Sequence, residues 1–376
     1  MSGVHIWAKA VMAGAAVMVL AACQSPPVIQ QQDAAGSVAG PGPRRMALDL
    51  PTPWGGELRC GTQGCRLVAV EHEPSTVVLH QVGPGRGVAR LLDRQKVAYH
   101  PDSAVWLADD LVAAAVEEST SLDIFRVQGE RLVPVEQIKL GFAPRDLIVV
   151  RAGDGRYQLL ATPYKGTGVA WVDYAPAHTG PDRVQVTTRS WCQTPWHPVP
   201  VSRAPGAPAG GLAVACLDGQ EVSFLPHTDL RGQARTLLKV PSPSRIVPRQ
   251  ARPSPTGRWL YVALETGARN LRIDMDSGAF QWIAAPVQRA TSVLPLQDDL
   301  VIWGDDLWLY FQRLDAQGQV LETRWLPVGG FPTGLQLLDA DGDGVDDLVV
   351  LNSAILPDRK AVEIIYGPLW EQAQPR

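Results

Sequence analysis

The chain has 376 residues, 45% of them hydrophobic and 19% charged, enough to bury one large core or two ordinary ones. With 34 basic against 38 acidic residues its formal charge is −4, which argues against a partner as polyanionic as nucleic acid. Glycine (35) and proline (32) stay below low-complexity levels but suit many short strands joined by turns.

The first segment, residues 1–22, has a short positive region ending at Lys9 and then the apolar run AVMAGAAVMVLAA, too short to remain as a membrane-spanning helix. Its last residues with the next, Leu20-Ala21-Ala22-Cys23, resemble the lipobox of bacterial lipoproteins. That resemblance implies cleavage before Cys23, a diacylglyceryl group on its thiol and stable anchoring by several acyl chains. Gln24 resembles the sorting rule for the outer membrane, on its periplasmic or exterior side. The plainer alternative is an ordinary secretory leader followed by an incidental cysteine. Residues 23–45, SPPVIQQQDAAGSVAGPGPRR after Cys23-Gln24, are too poor in bulky apolar side chains to fold and read as a tether. Residues 46–376 are then the folded domain, and the mature chain carries 33 basic and 38 acidic residues, a charge near −5.

Within that domain, apolar strand cores recur at Leu67, Leu111, Leu159, Leu212, Leu260, Leu300 and Leu348, at intervals of 44, 48, 53, 48, 40 and 48 residues. Each is followed by a second strand-like run, such as SLDIFRV, EVSFLP or NLRIDM, with Gly-containing turns between. A period in the forties with several short strands per unit predicts an all-β, seven-bladed β-propeller. A ring must close, because an open array leaves two sheet edges unpaired, and MALDL (Met46 to Leu50) is available as a strand for the last blade.

The last unit contains GLQLLDADGDGVDDLVVLN, in which Asp339, Asp341 and Asp343 alternate before Gly344. With the Val345 carbonyl and the Asp347 carboxylate they make a set of hard oxygen ligands suited to one structural calcium ion. Val350 stands where an EF-hand needs glutamate, so strands rather than helices flank the loop. The pattern D-x-D-x-D-G-x-x-D-L resembles the loops of FG-GAP (VCBS-type) repeats in integrin-like propellers, which implies adhesion or scaffolding through a protein partner in the cell envelope. The fifth unit, SPTGRWLYV, is similar instead to a strand pair of lactonase-type propellers.

Four cysteines remain after Cys23. An oxidising compartment predicts two disulfides, with Cys60 and Cys65 pinning a hairpin and Cys192 and Cys216 tying a Pro-rich insertion, WCQTPWHPVPVSRAPGAPAGG, to its strand. That insertion, with Trp191 and Trp196, is the predicted recognition loop.

No catalytic motif stands out. His100, Arg145, His197, Arg245 and Arg289 recur just before the inner strands, where they are expected to crowd one funnel mouth or, alternatively, to pair with acids such as Asp102 and Asp146. The sequence therefore points to an anchored scaffold or ligand-binding module without catalytic residues. The alternative is a lactonase- or lyase-like enzyme, or a receptor for an anionic sugar, using a basic funnel.

Overall fold

Each of the seven apolar cores becomes the second strand of its own antiparallel sheet. Leu67 lies in Gly64–Glu71, Leu111 in Leu111–Val116, Leu159 in Arg156–Pro163 and Leu212 in Gly211–Cys216. Leu260 lies in Trp259–Leu264, Leu300 in Leu300–Asp305 and Leu348 in Asp347–Ile355. The computed structural model describes residues 44–48, 50–61, 64–83, 89–226, 233–242, 245–355 and 362–375, all within one compact unit, Pro41–Arg376. The leader, Cys23 and the linker up to residue 43 lie outside the described residues.

The seven sheets form the expected all-β, seven-bladed propeller. Every residue of Leu111–Val116, Gly211–Cys216, Trp259–Leu264 and Leu300–Asp305 is buried. Both faces of a blade pack on neighbouring blades, so these strands read as unbroken apolar runs rather than alternating ones. Among the described residues no helix is long and apolar enough to cross a membrane.

Ring closure uses the N-terminal strand. Arg45–Leu48 pairs antiparallel with Val362–Ile365, with Arg45 opposite Ile365 and Leu48 opposite Val362, completing the seventh blade from the outside. Met46, Leu48 and Leu50 are buried in a cluster that draws Leu58 and Leu67 from the first blade and Val349, Val362 and Ile364 from the seventh. The chain's other end adds Gln374–Pro375 to the edge of the sixth blade beside Val320–Pro327.

Both expected disulfides are formed, Cys60–Cys65 and Cys192–Cys216. The Pro-rich stretch, however, is an insertion only in part, residues 202–210 being the connection to Gly211–Cys216. Its centre, Pro195–Val201, is the inner strand of the fourth blade, and Trp196 is buried in it. Three prolines are tolerated there because an inner strand is a sheet edge, with one side of its backbone facing the axis and needing no ladder partner.

Candidate functional site

Inner strands line a central cavity of about 580 Å³, to which all seven blades contribute. Five of these strands start at a proline: Pro53, Pro101, Pro144, Pro195 and Pro248. Just inside the start the pairing with the second strand slips in six of the seven. The unpaired residues include Trp54, Asp102, Arg145, His197, Arg249 and Thr333. A bulge of this kind breaks the two-residue alternation and re-aims a side chain. All six of these residues line the cavity.

Three guanidinium groups, Arg145, Arg249 and Arg252, gather on the side built by the third, fourth and fifth blades. Arg145 is almost buried, its Cζ 3.7 Å from the Trp196 ring centroid and 5.1 Å from those of Trp54 and Tyr164. Arg249 lies 4.0 Å from the same Trp196 ring and contacts Glu265 at 3.3 Å. Neither Arg145 nor Arg252 has a hydrogen-bonded or ion-paired carboxylate among the described residues. The nearby acid, Asp146, is engaged elsewhere: it accepts from the His197 backbone N–H at 2.9 Å and lies 3.4 Å from His197 Nδ1.

Burial sets the electrostatics here. It lowers the Arg252 pKa and pulls that of Arg249 down to about 10, against the charge of Glu265 and with that of Arg145. His197 is pushed down to about 4, first by burial and also by the Arg252, Arg249 and Arg145 charges, with Asp146 acting the other way. It is therefore neutral near pH 7, while Arg249 keeps its charge.

The five basic residues expected at the mouth do not converge. Arg145 and His197 line the cavity, whereas His100, Arg245 and Arg289 do not. Each of these three stands beside an acid: His100 is 3.7 Å from Glu117, Arg245 is 2.7 Å from Asp218 and Arg289 is 3.4 Å from Glu265. Asp102 pairs with His72 at 3.0 Å rather than with His100. The offset arises because the residue that enters the channel follows the strand's first proline: Asp102 and Arg249 occupy that place, not His100 and Arg245. Arg249, Arg252 and Trp54 escaped sequence reasoning, although the recurring proline was a usable signal.

The acidic loop sits at the opposite face, where the inner strand Gly330–Leu338 turns back into Asp347–Ile355. Strands flank it as expected, and it abuts the first disulfide, Ala340 O lying 3.4 Å from Cys65 Sγ. Carboxylate oxygens of Asp339, Asp341 and Asp347 come within 4.8 Å of one another. Asp339 accepts from the backbone N–H groups of Gly342 and Gly344, whose φ values of +80° and +83° only glycine adopts readily. Asp347 is fully buried and accepts from Ala340 N and Gly367 N; burial, with the Asp341 charge, nevertheless raises its pKa. Asp343 is not part of the trio and accepts from Val345 N, and Val345 is exposed.

No family model and no curated protein matches the chain. Solved structures do. Virginiamycin B lyase from Staphylococcus aureus superposes with a TM-score of 0.59 at 11% identity, over 85% of this chain and 97% of that one. A putative 6-phosphogluconolactonase from Bacteroides fragilis gives 0.60 at 14% identity over 77% and 88%. Hydrazine synthase from Kuenenia stuttgartiensis gives 0.62 at 13% identity over 89% and 100%. At such identities the likeness is one of fold: the chain is built as a seven-bladed β-propeller.

Proposed function

We propose that this chain is a ligand-binding propeller, held at the bacterial outer membrane through a lipid on Cys23, whose central channel takes a small anion: a carboxylate, a phosphate or an acidic sugar. The observation that carries the reading is the pair Arg145 and Arg252, two cavity-lining cations with no carboxylate of their own. A desolvated guanidinium is costly to leave unpaired and binds an oxyanion through charge-assisted, often bidentate hydrogen bonds. Trp54 and Trp196 contact Arg145 through their ring faces, and a cation held that way spends none of its N–H donors on them. His197, pushed down to about 4, is neutral near pH 7 and adds no competing charge beside the arginines.

Titration of the purified full-length chain with succinate, phosphate and glucuronate tests this. One of the three is expected to bind, and Arg145→Met and Arg252→Met are each expected to weaken it by about 10- to 100-fold, as the loss of a charged hydrogen bond implies. Melting temperatures should hold or rise, since each change removes a desolvated charge. If no anion binds, and cross-linking instead recovers an envelope protein whose attachment ignores both substitutions, the channel reading fails and the scaffold reading replaces it.

The acidic loop is assigned to structural calcium. An all-oxygen donor set with one wholly buried carboxylate fits that ion, and Asp339, Asp341 and Asp347 would hold it with the Val345 carbonyl; Asp343, outside that trio, would join only by turning toward it. Calcium at about ten times its Kd should stabilise the fold by about 1.4 kcal/mol. Asp341→Ala should abolish that rise in thermal scans; an unchanged rise would place the ion elsewhere.

A further inference from the structure

Where the first blade meets the second, on the face bearing the inner-strand starts, two imidazoles and a carboxylate come together. The turn between Gly64–Glu71 and Thr76–Val82 supplies His72 and Glu73, and the residue just before Pro101–Ala108 supplies His100. Each offers a ligand atom, and these atoms lie within 4.8 Å of one another. We propose that His72, Glu73 and His100 form a binding site for a divalent ion of borderline softness, zinc, nickel or copper(II), that bridges the two blades.

Two features beyond proximity support it. His72 Nδ1 is 3.0 Å from Asp102 Oδ1 and 3.3 Å from Pro101 O, so it carries the hydrogen and Nε2 keeps the lone pair. A carboxylate behind a ligating histidine is the usual way of orienting the ring and raising its basicity. His100 has Glu117 beside its Nδ1 at 3.7 Å, while its Nε2 is buried with no hydrogen-bond partner. A buried ring nitrogen without a partner is costly, and a metal ion would satisfy it.

In the metal-free arrangement the two imidazoles stack, with centroids 4.1 Å apart and planes 15° from parallel. Ligands on one tetrahedral zinc stand about 3.3 Å apart, given Zn–N bonds of about 2.0 Å. Binding thus requires the His100 ring, stacked between those of His72 and Tyr99, to turn and the exposed Glu73 carboxylate to close in. The donor set distinguishes this site from the acidic loop: two imidazoles and one carboxylate suit borderline ions, whereas an all-oxygen loop suits calcium.

The test is calorimetric titration of the chelator-treated full-length chain with zinc chloride in saturating calcium, together with copper(II) paramagnetic resonance. One equivalent of zinc should bind with a Kd of about 10 μM or tighter, and the copper spectrum should show two imidazole nitrogens. His100→Asn, chosen because asparagine tolerates the φ of +56° at this position, and Glu73→Gln should each weaken zinc by about tenfold or more. His178→Ala, on an exposed loop, should leave binding unchanged. Absence of saturable uptake by the unaltered chain, or equal uptake by both variants, overturns the assignment. The result is independent of whether the channel binds an anion, since neither His100 nor Glu73 lines it.

Discussion

Leu48→Ala is expected to destabilise the protein by about 2–5 kcal/mol, because it empties a wholly enclosed position. Leu48 is 2% exposed and sits in the cluster shared by the first and seventh blades. Its strand joins three from the other end of the chain. Loss of its side chain therefore loosens the ring's seam as well as leaving a cavity. For a domain of this size the melting temperature should fall by about 3–7 °C. Leu91→Ala, at a 40% exposed position on an outer strand, should stay within about 0.5 kcal/mol of the parent. Equal melting temperatures for the two variants would mean that the closing strand contributes nothing to stability.

Asp305→Asn is expected to work in the opposite direction, with an effect that grows with pH. The Asp305 carboxyl is 7% exposed, and its Oδ1 has no hydrogen-bond partner among the described residues. Burial, with the neighbouring Asp306 charge, raises its pKa from 3.8 to about 7, and Arg289 offsets only part of this. Between those two values the folded state holds a proton that the unfolded chain has released, so stability falls as pH rises across the window and levels off above it. At about pH 8 the ionised group costs the fold about 2 kcal/mol, taken as half of the roughly 1.4 kcal/mol per unit that full burial would imply. Asparagine has the same shape and no charge. Denaturant titrations of parent and variant at about pH 5, 7 and 8 should therefore diverge steadily, the variant gaining. Parallel curves would show that Asp305 is already solvated or paired when ionised.

The structure bears differently on different parts of the sequence reading. The ring of blades was legible because each second strand is buried on both faces and so must be apolar throughout, leaving a regular mark such as LVAAAV or WLYVAL. The closing strand was legible because MALDL carries three buried apolar residues at alternate positions beyond an otherwise polar tether. Both disulfides followed from spacing and an even count.

The channel was read only in part. Arg145 and His197 were found because they stand at equivalent places in their units, but the same alignment chose His100 over Asp102 and Arg245 over Arg249. A bulge shifts which neighbour faces the axis by one residue or more without changing composition, so counting back from an apolar core cannot locate it.

Local chemistry written in consecutive residues determined the blade count, the cross-links, the acidic loop and the leader pattern, because each depends on side chains near one another along the chain. Convergence on the axis was decided by the tertiary structure alone. Trp54, Arg145, Trp196, Arg249 and Arg252 come from four blades, and their contacts and missing carboxylates exist only once the ring has closed. The same holds for His72 and His100, which belong to different sheets and meet only because adjacent blades pack face to face.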